Sequence, residues 1–257
     1  MYAAYAITAL SIAAYVGALT GLGRSALITR LGLLVAPMII AELVLQRIVQ
    51  RRFLGFSARM IELLPQEPPE RLLELYRRET FLRFAAPKHL MLDLLGMIYV
   101  QLGEHRSAAA SFREALEAAP AKAQVELAIK LAASLKEAGD LLTAERYYRE
   151  VIAVAEDHVP SLQQLARLVL QRRDDLREAT ELLHRAAASA PRDVESSQLR
   201  GELALLLVRQ GKLDDAERQI NVALHDLRDA GDDQRMLVEE AAAALATARS
   251  ETASTSD

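Results

Sequence analysis

Apolar residues recur at helical spacing along most of the chain, and from residue 89 onward they form pairs of stripes separated by short polar turns. Residues three or four apart lie on one face of an α-helix, so each stripe predicts an amphipathic helix and each pair predicts a helical hairpin. One hairpin cannot bury its own apolar surface, so neighbouring hairpins should stack on it. The pattern therefore predicts an all-α protein.

The first hairpin has a definite order of large and small residues. Leu95 and Tyr99 are four residues apart on its first helix, and Gly103 marks the turn to its second helix. Gly96 is small, as is needed where two helices cross closely, and Pro120 closes the unit because proline cannot continue a helix. The remaining positions of the pattern are Leu92, Ala108, Phe112 and Ala115.

The same pattern returns in three further copies. Gly139 follows Gly103 by 36 residues, and Gly211 follows it by 108, which is three times that spacing. In the third copy, residues 173–175 replace the turn glycine and add one residue. The matching positions are Leu131, Ala132, Leu135, Ala144, Tyr148 and Val151 in the second copy, Leu165, Ala166, Val169, Ala179, Leu183, Ala186 and Pro191 in the third, and Leu203, Ala204, Leu207, Ala216, Ile220 and Ala223 in the fourth.

This pattern resembles that of the tetratricopeptide repeat (TPR) family, with Leu92 in place of the family's tryptophan. The resemblance covers residues 88–230 and implies a right-handed α-solenoid of about four helix-turn-helix repeats with capping helices. It also implies a concave groove, lined by the first helix of each repeat, that binds a protein or peptide partner. The groove positions carried over are Asp93, Met97, Val100, Gln101, Ile129, Ala133, Lys136, Glu137, Gln163, Arg167, Leu170, Gln171, Leu205, Val208 and Arg209.

The N-terminus is apolar enough to suggest a membrane anchor. Residues 1–23 contain no charged side chain, and a helix of that length can cross about 30 Å of hydrocarbon. A secretory signal peptide has a basic segment before its apolar run, and no basic residue precedes this run. A second run, residues 31–45, contains Glu42 and Pro37. We expect an anchor over residues 1–48, either a transmembrane hairpin or one span followed by a helix lying in the interface.

A row of small residues lies within the first apolar run. Small side chains spaced four apart let membrane helices approach closely. We therefore expect this row to pack against the second span or against another copy of the chain, which would make a homo-oligomer through the anchor. The row consists of Ala9, Ala13, Gly17 and Gly21.

The distribution of charge suggests an orientation. Basic residues beside membrane spans are retained preferentially in the cytoplasm. Arg24 and Arg30 follow the first run, and Arg47 and Arg51 follow the second, so either span count places the repeats in the cytoplasm. The excess of arginine over lysine hints at a bacterial source, hence a bacterial inner membrane.

The chain is basic at its start and acidic in its repeats. Residues 1–64 carry six arginines and two glutamates, net +4, whereas the remainder carries 25 basic and 33 acidic residues, net −8. The basic part suits the anionic headgroups of a lipid bilayer. The acidic repeats have no basic stripe, which argues against nucleic acid as a partner.

The segments flanking the repeats are also expected to be helical. Residues 49–87 should hold an amphipathic helix and, after three prolines, a leading helix over residues 70–85. Residues 231–250 should form a C-terminal capping helix, and residues 251–257 a disordered tail. The apolar stripe of the leading helix is Leu72, Leu73, Tyr76, Thr80 and Phe84.

No arrangement of residues typical of catalysis occurs in the sequence. The five histidines have no metal-ligand spacing, and the absence of cysteine excludes thiol chemistry. We therefore expect no enzymatic activity, no cofactor and no metal site. The sequence favours a membrane-tethered TPR adaptor that recruits or assembles partners at the bilayer. The alternative is a structural subunit of a membrane complex that acts mainly through its transmembrane hairpin.

The predicted orientation can be tested with a reporter fused after Asp257. A cytoplasmic reporter should be active and a periplasmic reporter inactive, because the arginines keep the repeats on the retained side with one span or with two. Enzyme assays on intact cells carrying each fusion measure this. A periplasmic signal would contradict the predicted orientation.

Overall fold

The computed structural model describes residues 24–191, 193–227 and 232–254, and within these ranges all regular secondary structure is helical. The chain divides into two compact units. Unit 1 is Met1–Gln66 with Glu79–Ala86, and unit 2 is Glu67–Arg78 with Pro87–Asp257. The helices are α1 (Arg24–Leu63), α2 (Pro69–Arg78), α3 (Thr80–Ala85), α4 (Lys88–Gln101), α5 (His105–Ala118), α6 (Ala121–Glu137), α7 (Leu141–Val154), α8 (Val159–Arg173), α9 (Leu176–Ser189), α10 (Val194–Arg209), α11 (Leu213–Asp226) and α12 (Asp232–Ser254).

Unit 2 is a series of helical hairpins. The pairs α4/α5, α6/α7, α8/α9 and α10/α11 each pack together, and each pair also contacts the next along the chain. The predicted helical positions of the second, third and fourth copies are all buried, and all of them except Val151 belong to one continuous core, whereas Pro191 after the third copy is exposed. In the first copy, Leu92, Leu95 and Tyr99 are half-buried. These contacts confirm the predicted all-α helical-repeat fold.

Three of the four turns within hairpins use glycine in a left-handed conformation. Gly103, Gly139 and Gly211 have φ of 71°, 87° and 72°, a region that side chains disfavour. After each glycine, the next backbone N–H donates back across the turn, as Glu104 does to the carbonyl of Tyr99 at 2.9 Å. This hydrogen bond satisfies a carbonyl at the end of the first helix and fixes where the second helix begins.

The third turn is built differently. Asp174 takes the left-handed position with φ of 49°, and its N–H donates to the carbonyl of Leu170 at 2.9 Å. The next residue, Asp175, caps α9 by accepting from the N–H of Glu178 at 3.0 Å. Aspartate tolerates the left-handed region better than most residues. The added residue is therefore accommodated at the end of α8, which ends eight residues after Leu165, whereas α6 and α10 end six residues after Leu131 and Leu203, and by a turn made of two aspartates.

A cluster of charged side chains joins this turn to the preceding repeat. Glu145 on α7 is largely buried, and it accepts hydrogen bonds from Arg149, Arg172 and Arg173. Arg149 and Arg173 also donate to Glu178 on α9, at 2.6 and 2.8 Å. Burial acts to raise the pKa of Glu145, but the hydrogen bonds from Arg149 and Arg172 outweigh it and lower that pKa. This carboxylate therefore stays ionised and holds the second and third hairpins together.

In unit 1, α1 is one continuous helix of 40 residues that includes Pro37. Val49 and Met60, eleven residues apart on one face of α1, are buried, as is Leu82 of α3, the helix in contact with α1. Arg52 of α1 pairs with Glu79 at 3.3 Å. The guanidinium of Arg52 also lies over the ring of Phe81, 5.1 Å from the ring centre.

The flanking helices differ from the sequence expectation in two places. The leading helix expected over residues 70–85 is interrupted at Glu79, which makes it two helices, α2 and α3. The two helices belong to different units, and in α3 Leu82 is buried, whereas Phe84, which we expected on the buried stripe, is 94% exposed. Thr80 of that stripe is exposed as well. At the C-terminus, α12 continues to Ser254, past the expected start of the tail at residue 251.

Among the described residues, no helix has the length and apolar character needed to cross a lipid bilayer. The second span that we expected at residues 31–45 is therefore not supported. The first expected span, residues 1–23, lies outside the described residues. So does its row of small residues, Ala9, Ala13, Gly17 and Gly21.

Gly96 should not tolerate a larger side chain. A Cβ added there would lie 2.5 Å from Cε1 of Phe112, so Gly96→Ala should lower the free energy of unfolding by about 1–3 kcal/mol through overpacking. Urea unfolding followed by circular dichroism measures this effect. In a Phe112→Leu background the ring is gone, so the same substitution should cost much less. Equal costs in both backgrounds would show that the contact does not limit this position.

Replacing Glu145 should remove part of the protein's sensitivity to acid. Its pKa is lowered in the folded state, so the stabilisation is present above the unfolded pKa of about 4.3 and is lost as pH falls through the folded pKa. Glu145→Gln should destabilise the protein by about 1–3 kcal/mol at pH 7, and the difference should vanish in stronger acid. Thermal or urea unfolding across this pH range measures the difference.

The matched control for that experiment is Glu150→Gln on the same helix. Glu150 is exposed, and its carboxylate lies 3.6 Å from Arg146, an exposed pair that contributes about 0–1 kcal/mol. We expect the Glu150 variant to follow the wild-type curve closely at every pH. A constant gap between wild type and Glu145→Gln at all pH values would contradict the assignment.

Candidate functional site

The first helices of the four hairpins carry the predicted groove residues, and neighbouring first helices are joined by polar side chains. Lys130 on α6 reaches Asp93 on α4 at 2.9 Å. Lys136 on α6 donates to Gln164 on α8 at 3.0 Å. Of the predicted groove residues, Asp93, Met97, Ile129, Ala133, Lys136, Gln163, Leu170, Leu205 and Val208 are half-buried, and Val100, Gln101, Glu137, Arg167, Gln171 and Arg209 are exposed. They therefore line an accessible face of α4, α6, α8 and α10.

Charged side chains near the start of this face pair with one another. Lys130 donates to both carboxylate oxygens of Asp93 and pairs with Glu126 on its own helix, also at 2.9 Å. Burial acts to lower the pKa of Lys130, but hydrogen bonds to Asp93 and Glu126 outweigh it and raise that pKa above its ordinary value. The lysine therefore stays charged near neutral pH.

Glu202 on α10 occupies the corresponding place between α8 and α10. It accepts a hydrogen bond from Gln163 at 3.0 Å, and both Nε and Nη2 of Arg167 donate to its carboxylate. The Arg167–Glu202 pair is bidentate, which is the strongest geometry for an arginine and a carboxylate. We expected Arg167 to face a ligand, but its charge is already compensated within the chain.

Arg209 is also paired, though more weakly. Its guanidinium donates to Asp174 in the third turn at 3.1 Å, and both side chains are largely exposed to solvent. An exposed pair of this kind contributes about 0–1 kcal/mol, so it can open at little cost. Arg167 is thus held firmly, whereas Arg209 can adjust.

A depression of about 420 Å³ lies on this face where α8, α10 and α12 meet. Its floor and walls are mainly aliphatic. It brings together five of the predicted groove residues, Arg167, Leu170, Leu205, Val208 and Arg209, with Leu183, Glu202, Leu206, Glu240 and Ala244. This volume can hold one or two apolar side chains of a bound segment.

The depression includes residues that the sequence analysis did not assign to the groove. Glu202 lies three residues before Leu205 and seven before Arg209, so helical spacing alone would have placed it on their face. Glu240 and Ala244 come from α12, which we expected only to cap the array. α12 follows α11 where the first helix of a further repeat would stand. This position could have indicated that α12 extends the face.

The predicted groove residues of the first two repeats lie on the same series of helices but outside the depression. Met97, Val100, Ile129 and Ala133 are the apolar members of this group, and Asp93 is engaged by Lys130. Within the described residues, no group of three histidine, aspartate or glutamate side chains is placed to hold a metal ion. The accessible chemistry of the face is therefore aliphatic surface bordered by paired charges.

The helical hairpins of unit 2 are similar in fold to those of TPR proteins. Residues 91–122 match the family model of the tetratricopeptide repeat. This match covers the first hairpin, α4 and α5, on which the sequence resemblance was strongest. TPR proteins are generally non-enzymatic scaffolds.

Several solved structures share the fold. MamA from Desulfovibrio magneticus RS-1, in a structure of residue 41 to the end, is 17% identical, with a TM-score of 0.56, and the alignment covers 71% of this chain and 97% of that MamA chain. YrrB, a TPR protein with an unusual peptide-binding site, is 17% identical with a TM-score of 0.52, over 72% of this chain and 89% of YrrB. The apo form of RapI is 10% identical with a TM-score of 0.58, over 76% and 84% of the two chains. No curated protein matches the chain in sequence.

Proposed function

We propose that this protein is a TPR adaptor that binds a segment of a partner protein through apolar side chains seated in the depression between α8, α10 and α12. One observation carries the proposal. The depression is lined by Leu170, Leu205 and Val208, while the charged groups at its border, Arg167 and Glu202, already compensate each other.

The free energies that apolar and charged contacts can contribute favour an apolar ligand over an acidic one. A ligand carboxylate would have to compete with Glu202 for Arg167, exchanging one ion pair for another with little net gain. Burying a leucine or phenylalanine side chain of the ligand against the aliphatic wall contributes about 1.5–3 kcal/mol. Pairing with Arg209 could add about 0.2–1 kcal/mol at this exposed position. Apolar contacts therefore provide most of the affinity, and charge contributes orientation.

The comparisons support protein binding as the general role. YrrB, whose fold this chain shares, is a TPR protein with a peptide-binding site. The first helices of this chain present an accessible face in a comparable array. This similarity supports a protein segment as the class of ligand.

We further propose that the N-terminal part tethers the adaptor to a bacterial inner membrane, with the repeats on the cytoplasmic side. The support comes from the uncharged run over residues 1–23 and from Arg24 and Arg30, which follow it. In this arrangement the groove would hold its partner close to the bilayer. The competing role, a membrane-complex subunit that acts through its anchor, predicts that groove substitutions leave partner binding unchanged.

Selection from a random peptide library against the full chain in detergent tests the proposed ligand class. The selected peptides should be enriched in leucine, isoleucine and phenylalanine. Leu205→Asp should weaken the binding of a selected peptide at least about tenfold, because a carboxylate would replace the aliphatic wall. Fluorescence anisotropy of the labelled peptide measures its Kd. The matched control is Leu142→Asp on α7, an exposed leucine outside the depression, which should leave Kd unchanged.

A third variant, Arg167→Met, separates the two ligand classes. It removes the charge but keeps an apolar stem, so a peptide held by aliphatic contacts should bind it within about twofold of wild type. Enrichment of acidic peptides, together with loss of binding in Arg167→Met, would show instead that the groove selects its ligand by charge. Circular dichroism on each variant verifies that the repeats remain folded.

A further inference from the structure

Most of the exposed large apolar side chains in the described residues belong to unit 1. Large apolar side chains on a soluble surface usually occur singly, and a contiguous group marks a site of interaction. In the described part of unit 1, the side chains that are more than one-third exposed are Ile39, Ile40, Leu43, Val44, Leu45, Ile48, Leu54, Ile61, Phe81 and Phe84.

Three of these side chains form a stripe along α1. Leu43, Leu54 and Ile61 are separated by eleven and by seven residues, which correspond to about three and two helical turns, so they point the same way. The stripe lies away from Val49 and Met60, the buried residues of the same helix. Its length is about 27 Å at 1.5 Å per residue. The inner face of α1 is thus covered, and its outer face is apolar and open.

Positive charge borders this stripe. Arg47 lies four residues after Leu43, Arg51 lies three residues before Leu54, and both are exposed. Arg59 is exposed further along the helix. Arg52, in contrast, points to Glu79 and Phe81 within the unit. The acidic groups on this stretch of α1 are Glu42, which is half-buried, and Glu62, which is exposed.

We propose that the outer face of α1 docks on the surface of a lipid bilayer rich in anionic headgroups, with Leu43, Leu54 and Ile61 in the acyl boundary and Arg47 and Arg51 at the phosphates. An amphipathic helix with basic residues beside its apolar face binds membranes in this way. The proposal rests on the proposed membrane tether, which brings this helix to the bilayer. The proposal adds that α1 lies on the bilayer surface and that the lipids this helix recognises are anionic.

Charge separates a bilayer from the other possible occupants. A second copy of the chain packed on this face would bring two sets of arginines together, which disfavours a symmetric dimer. Anionic headgroups instead match Arg47 and Arg51 and leave the aliphatic stripe free to enter the acyl region. The uncharged run over residues 1–23 precedes the same helix, so tether and docking face belong to one continuous segment.

The absence of cysteine from the chain makes the test direct. Single cysteines at Leu54 and Ile61 in the full chain are labelled with an environment-sensitive fluorophore, and the protein is reconstituted into vesicles of phosphatidylcholine with phosphatidylglycerol. Both probes should shift to the blue and be quenched by nitroxide-labelled lipids. A probe at Leu142, an exposed leucine in unit 2, should do neither.

Lipid charge and the arginines provide the second half of the test. In vesicles of phosphatidylcholine alone, the probes at 54 and 61 should report mostly water. Arg47→Gln and Arg51→Gln should each lower the ratio of docked to free helix roughly fivefold in the anionic vesicles. Circular dichroism verifies that each variant keeps its helical content.

The outcomes distinguish docking from tethering. If the protein floats with vesicles while the probes at 54 and 61 remain in water, the docking face is overturned and the tether stands. If the protein does not float with vesicles, the proposed tether and the proposed docking face are both wrong. If both probes are shielded from water but nitroxide lipids do not quench them, a protein covers this face and the lipid assignment is wrong.

Discussion

Every hairpin in unit 2 has two apolar faces but only one internal contact to cover them. The helices of a pair bury one face against each other, and the second face is covered by the following pair. The core consequently runs without interruption from Ala108 to Leu245. In α12, Val238, Ala241 and Leu245 are buried, so this last helix covers the fourth hairpin. The order in which first helices lie beside one another follows from this stacking, and the groove is its exposed side.

The sequence predicted this core well because its pattern is local. Leu131, Leu165 and Leu203 occupy equivalent positions, and all three are fully buried. The turn glycines were equally recognisable, since a left-handed backbone position leaves a clear trace in the residue type. Helical period and turn chemistry act over a few residues, and for such features a single sequence carries the necessary information.

Interactions between distant residues were not predictable in the same way. The break at Glu79 is accompanied by its pair with Arg52, 27 residues earlier, and in the helix that follows it Phe84 is exposed and Leu82 is buried. The groove gave a similar result. Its face was assigned from spacing, but the pairing of Arg167 with Glu202 spans 35 residues and depends on how two hairpins dock. Helical spacing gives the side of a helix on which a residue lies and does not give the residue's partner.

The third repeat connects the irregular turn to the candidate site. The C-terminal end of its first helix reaches back through Arg172 to Glu145, and the turn itself reaches forward from Asp174 to Arg209. A glycine in place of Asp174 would satisfy the backbone equally well and would leave Arg209 without this carboxylate. The departure from the regular pattern therefore lies beside the depression and positions one of its border residues. An irregularity of the repeat that strains nothing locally can in this way set the charge around the binding face.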